Sequence, residues 1–443
     1  MRAGPGRALR VPLSSALLAA LALAAQELAP NPPRAEPPLG PAASRPGSEG
    51  CLRCHEGIEE VHPFHPLGCV DCHGGNAEAD AKDRAHVLPS KPLPNDERVV
   101  PLDHDPAYRR FRNPTDLRIV GKTCGNCHAS EVSTFGKSLH GTTAGHLSDG
   151  LYENGVVADR RARFALFPVA DEDGTVPPEA YARLEAVPGF DPRRDLSTLA
   201  AHFADVPRKA CAQCHFYSQG RAVRGRLGMD GDYRAEGCAG CHMPYAEDGL
   251  SRSGDPTVKK HEPGHPIAHR LTTRIPTATC AQCHYGDASI GLHFRGLAQL
   301  PPGMPGGPDI PNSTKSPLNG VFYFRDPRNA PPDVHHEKGL ACIDCHTVRD
   351  TMGDGNVYGF MEHAVEIECA DCHGTFSARS TLTTSRGAPL THLRREGDRV
   401  ILRSKVTGED HPVTQARDVL DPVHADRNPA AARAMTPAHE RLE

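Results

Sequence analysis

The chain has 443 residues and a formal net charge of −5, with 50 basic against 55 acidic side chains. So mild an acidic balance disfavours a nucleic-acid partner and gives no electrostatic help at an anionic membrane surface. With 42 Gly, 42 Pro, no Trp and 5% aromatic residues, the chain is short of the apolar mass of a conventional core, and its expected content of regular secondary structure is low.

Residues 1–26 read as a secretory signal. Arg2, Arg7 and Arg10 form a basic start, Val11 to Ala25 is an apolar run, and Ala22-Leu23-Ala24 fits a small-residue cleavage site. The run is short for a membrane span. Removal of this segment takes three arginines with it and leaves a charge of about −8. Residues 27–50, rich in Pro, Ala and Gly without periodicity, read as a flexible tether. The expected location is periplasmic or, after further export, the cell surface.

From residue 51 one pattern recurs eight times, C-x-x-C-H. The cysteine pairs are Cys51 and Cys54, Cys69 and Cys72, Cys124 and Cys127, Cys211 and Cys214, Cys238 and Cys241, Cys280 and Cys283, Cys342 and Cys345, and Cys369 and Cys372. They are followed by His55, His73, His128, His215, His242, His284, His346 and His373. All 16 cysteines are consumed, and histidine, only 26 of 443 residues, follows every pair. Two thiols three residues apart match the two vinyl groups of a porphyrin, and the adjacent histidine reaches the iron as proximal ligand. Zinc sites need CxxC pairs but no following His. A thioredoxin-like protein carries one such pair, not eight. The pattern therefore predicts eight covalently attached haem c groups on a domain spanning residues 51–373.

Distal ligands are sought among the eighteen histidines outside the motifs. His62 and His65 lie in the short loop joining the first two motifs, and His86 follows an Ala-rich helical patch. After His128, Ser130 is placed to cap a helix, with His140 at its end and His146 beyond. The long interval that follows contains two stretches of helical pattern, residues 178–187 and 196–206. The motif pairs at 211–242 and 342–373 share the same internal spacing, as a duplicated haem-pair module would. Arg221, Arg224 and Arg226 lie in the first pair's connection. His261, His265 and His269 recur every fourth residue, but Pro263 and Pro266 forbid a regular helix, so a looped ligand donor is expected. His335, in the run-up to Cys342, and His363, in the run-up to Cys369, complete the preferred set of His62, His86, His140, His146, His265, His269, His335 and His363. Met352 and Met361 are weaker candidates for an axial thioether. Residues 374–443 carry no motif; GDRVILRSKVTG alternates like a β-hairpin. The final MTPAHERLE resembles the run-up to Cys342, so the reading is an interrupted chain that continues into further motifs.

The eight motifs resemble those of multihaem c-type cytochromes, and their number resembles the octahaem tetrathionate reductase and hydroxylamine oxidoreductase group. The resemblance covers residues 51–373. It implies a mostly irregular fold with short α-helices, in which porphyrins supply the interior, and a minor β-hairpin near the C-terminus. It implies electron transfer along closely packed, mainly bis-histidine haems, between redox proteins that donate and accept electrons. The alternative is a reductase or oxidase of nitrogen or sulfur oxyanions with one open or lysine-ligated haem. Lys122, Lys137, Lys259 and Lys260 lie near motifs. The CxxCK of the octahaem nitrite reductases does not occur here, and none of the nine tyrosines can be assigned the haem cross-link of the hydroxylamine oxidoreductases.

Overall fold

A computed structural model describes residues 46–61, 67–92, 105–172, 174–188, 193, 197, 237–246, 250–261, 265–281, 283–284, 290–299, 313–315, 322–325 and 331–420. All belong to the compact unit Pro38–Glu443. The signal, the motif at Cys211–His215, the loop histidines His62 and His65, the helical pattern at 198–206, the three arginines of its connection and the C-terminal MTPAHERLE lie outside the described residues.

Regular structure is sparse. The longest helix among the described residues, Ala144–Glu153, has ten residues, and the strands form three small three-stranded sheets. Among the described residues no helix is long and apolar enough to cross a membrane. Most helices are single turns, and several of them are the motifs themselves, as in Cys51–Cys54, Cys69–His73, Cys342–Cys345 and Cys369–His373.

Two apolar clusters lie between the motifs. Next to the first, Ala144, Leu147 and Leu151 are buried along one face of Ala144–Glu153. Ala144 there joins Ala165, Leu184 and Val357. The segment 178–187 is not helical: Arg183–Ala186 is a strand, parallel to Phe164–Ala165 and antiparallel to Val169–Ala170. Its Ala, Leu and Glu are good helix formers, but Leu184 is buried between exposed Arg183 and Glu185. That alternation matches a strand with one covered face, and packing overrides propensity.

The second cluster gathers Leu340, Leu390, Leu393, Val400 and Leu402 beneath the C-terminal sheet. The hairpin expected over 397–408 is replaced by a meander: that window supplies one strand, Arg399–Arg403, and both its partners flank it. Leu393–Glu396, Arg399–Arg403 and Asp410–Val413 form an antiparallel meander with Arg399–Arg403 in the centre. Burying Val400 and Leu402 stabilises this corner by roughly 1.5–3 kcal/mol each. The sheet is bolted to the last two motifs. Asp344, fully buried, accepts hydrogen bonds from Ser404 Oγ and Lys405 N, and Gln415 Nε2 donates to Cys372 O.

Candidate functional site

Each described motif closes on itself in the same way. The histidine amide donates to the carbonyl of the first cysteine, for example His55 to Cys51 at 2.9 Å, His242 to Cys238 at 2.9 Å and His346 to Cys342 at 2.8 Å. Residues i and i+3 of one helical turn share a face, so the two sulfurs are presented together. Three motifs carry Asp at their third position, and this Asp caps its own turn. Asp71 accepts from Gly68 N, Asp344 from Ala341 N and Asp371 from Glu368 N. The helix around His140 differs from the expected one. Ala129–Phe135 has no side-chain cap, so Ser130 does not serve; Ser138 caps a separate turn, Leu139–Thr142, that carries His140.

Four pairs of imidazoles stand opposite one another at nearly one distance. Ring centres are 6.2 Å apart for His55 and His86, 6.0 Å for His73 and His269, 6.3 Å for His140 and His284, and 5.9 Å for His335 and His373. A metal–nitrogen bond of about 2 Å plus about 1.1 Å from nitrogen to ring centre, on both sides of one iron, gives about 6.2 Å. Twist about that axis is unconstrained, and the interplanar angles run from 26° to 84°. Each pair joins a motif histidine to a distal candidate far away in sequence.

The outer nitrogen of six of these eight rings is tied down. Nδ1 donates to Phe111 O from His73, Thr351 O from His140, Glu59 O from His269 and Thr414 O from His373, at 2.7–3.3 Å. His242 donates likewise to Thr272 O. His55 and His346 instead donate to the carboxylates of Asp255 and Asp350, and His335 to Asp333. Fixing the proton on Nδ1 leaves the Nε2 lone pair for a metal. Burial lowers the pKa of His73 to about 4, and also lowers His140, His242, His269 and His284, which holds them neutral. By contrast His392 turns its Nε2 to Asp344 O, a structural bond.

The remaining distal candidates fall elsewhere. His62 lies outside the described residues, and His146, His265 and His363 are not in the four pairs. His146 sits on Ala144–Glu153 close enough for its charge to lower His284. His363, on Met361–Ala364, has a buried Nδ1 without a hydrogen-bond partner. Lys137 pairs with buried Asp171, and Lys260 donates to Asp255 O. Among the described residues no second imidazole stands at the pair distance from His242 or His346.

Among the described residues, three pairs of motifs come close enough for their thiols to shift one another: Cys51 with Cys69, Cys124 with Cys238, and Cys280 with Cys342. The Cys238 and Cys280 thiols lower Cys124 and Cys342 to about 6, and are themselves raised. Burial raises Cys72, Cys345 and Cys372 to about 11; the field of Cys124 adds to Cys72, and that of Cys345 to Cys372. The field of Cys241 reaches Cys280. At the junction of the third and fifth motifs Gly237, at φ +68°, leaves no room for a Cβ against Thr115 O. Among the described residues no motif cysteine is in a disulfide.

The large apolar side chains left exposed mostly flank these rings. Leu67, Leu88, Val334, Val348, Met361 and Phe376 each lie within three residues of a motif or a candidate histidine. Such surface is what a porphyrin face would cover. Among the described residues no three His, Cys, Asp or Glu converge on one point; a haem iron, with four porphyrin nitrogens, needs only the two imidazoles. The residues therefore fit haem. Several partners have no sequence signal, Phe111 and Asp255 among them, whereas Asp350, one helical turn after His346, is within reach of a local pattern.

No family model matches this chain, and no solved structure matches it.

Proposed function

We propose that this chain is an exported multihaem c-type cytochrome that carries electrons along closely packed, mainly bis-histidine haems between redox proteins. The observation that carries the reading is the spacing of the four imidazole pairs, each at the separation of two axial ligands on one iron. Bound haem supplies a one-electron ferric/ferrous couple. The cysteine pairs fix each porphyrin to a helical turn. The Nδ1 anchors hold each imidazole in one orientation and one tautomer, so ligation changes little with redox state. The exposed apolar side chains beside the rings keep water from the porphyrin faces. The closeness of the described motifs, by thiol pair or by electrostatic field, supports a continuous row from Cys51 to Cys372.

A second reading, an oxidoreductase of nitrogen or sulfur oxyanions with one substrate-accessible iron, draws on His242 and His346, which no described imidazole faces. One experiment addresses both. The protein is produced with a haem-attachment system, and its intact mass and ferric EPR spectrum are recorded with and without cyanide and nitrite. Eight added haems and low-spin signals indifferent to both ligands are expected. Colourless protein of bare polypeptide mass refutes either reading; a high-spin haem that binds nitrite selects the second.

A further inference from the structure

Two motif imidazoles depart from the way the others are anchored. His73, His242 and His373 donate Nδ1 to backbone carbonyls, which are dipoles. His55 donates to the Asp255 carboxylate at 2.8 Å, and His346 to Asp350 at 3.2 Å. Both carboxylates are 3% exposed, so solvent screens them little. Asp333, the third carboxylate of this kind, is 45% exposed and acts on His335 from the surface.

Asp255 closes a local turn and also reaches across the fold. It comes from residues two hundred positions after His55, and is held by Thr257, whose amide and hydroxyl both donate to Oδ1 at 2.8 Å. Its second oxygen is thereby aimed at Nδ1. The same Thr257 hydroxyl lies 3.0 Å from that nitrogen. Asp350 reaches His346 across one helical turn, and its other oxygen is buried with no hydrogen-bond partner. Lys405 lies close enough for its field to oppose Asp350 at His346.

Building on the haem reading above, we infer that Asp255 is a positioning residue that sets a low reduction potential at the iron held by His55, with Asp350 doing so more weakly at His346. A charged acceptor draws the Nδ1 proton outward and makes Nε2 a stronger donor. Stronger donation favours ferric over ferrous iron, which carries one electron more and one positive charge less. The first motif stands at one end of the motif-to-motif contacts and the seventh next to the other end. Electrons taken up by the protein therefore settle on haems between them.

The test is a spectroscopic redox titration of the purified holoprotein and two variants. Asp255→Asn keeps shape and an acceptor but removes the charge. One component is expected to become at least tenfold easier to reduce, about 59 mV for a one-electron couple, with the other components and the haem number unchanged. Thr257→Val removes one of the two bonds that aim the carboxylate at His55, so the same component is expected to move the same way by a smaller amount. A purely structural role shifts no single component. Wild-type-like titrations of Asp255→Asn at full haem content overturn the inference while leaving the haem reading intact. If Asp255→Asn fails to retain its haem, an unshifted Thr257→Val overturns it. Colourless wild-type protein removes the haem reading and this inference with it.

Discussion

A buried histidine that must stay neutral makes a protein acid-sensitive. Burial takes His73 from its ordinary 6.5 to about 4, and lowers His86, His140, His242, His269 and His284. Unfolded, these rings protonate near about 6.5. Folded, they resist, so the unfolded state binds more protons as the pH falls below that value. Their contribution is complete above about pH 6.5 and lost as the pH falls below it, for His73 on the way down toward 4. His346 runs the other way: its bond to Asp350 raises it, so its contribution is present below 6.5 and fades as pH rises through the folded value. Six lowered rings outweigh one raised ring. Thermal unfolding at pH 7.5 and at pH 5 is expected to give a clearly lower midpoint at pH 5; an equal or higher one contradicts the buried neutral state. Iron ligation, which also needs a neutral ring, pushes in the same direction. Which histidines the fold brings opposite a motif ring was partly legible. His86, His140, His269 and His335 stand out by local context, but their partners do not. His140 and His284 meet across the whole middle of the chain, and nothing within a short window records that.

At the scale of elements, the motif turn is the unit that a five-residue window specifies, and its strength depends on what Asp at the third position collects. Asp71, on the surface, caps only Gly68 N. Asp371 takes Glu368 N and Ser385 N. Asp344 takes Ala341 N, Lys405 N and Ser404 Oγ, joining motif to sheet. Removing an exposed cap costs about 1 kcal/mol, whereas each buried donor left unmet costs about 1–3 kcal/mol. Substitution by Ala is therefore expected to destabilise in the order Asp71, Asp371, Asp344, by about 1 kcal/mol for the first and at least about 3 for the last, read from denaturation midpoints. Equal effects would mean that the sheet is not docked through Asp344. The motif turns were legible because their hydrogen bonds close within the motif. The strand at Arg183–Ala186 was not, because its identity comes from Leu184 meeting a core contributed by Ala144 and Val357. The third strand of the C-terminal sheet was missed for a similar reason: Asp410–Val413, with Pro412 inside it, has little strand character until Arg399–Arg403 pairs with it.

For the molecule as a whole, the order of contacts matters more than any one site. Cys51 meets Cys69, Cys124 meets Cys238, and Cys280 meets Cys342, while the fields of Cys124 and Cys241 span the steps between. On the proposed haem reading, the chain wraps such a row, and electron transfer requires the row to be unbroken. The sixth motif is then a decisive link, since Cys280 lies close to Cys342 and within the field of Cys241. Replacing Cys280 and Cys283 together by Ala is expected to remove one haem and to isolate the seventh and eighth from the first three and the fifth. With a photoreductant tethered at exposed Phe376, beside the last motif, wild-type protein should spread an injected electron over all its haems in one fast optical phase. The double variant should confine the fast phase to the haems near the label and reach the others only slowly. A small diffusible reductant should still reduce every remaining haem in both proteins, which separates a broken path from a misfolded one. An undiminished fast phase in the variant would mean that electrons bypass the sixth motif, and that the order of thiol contacts is not the order of transfer.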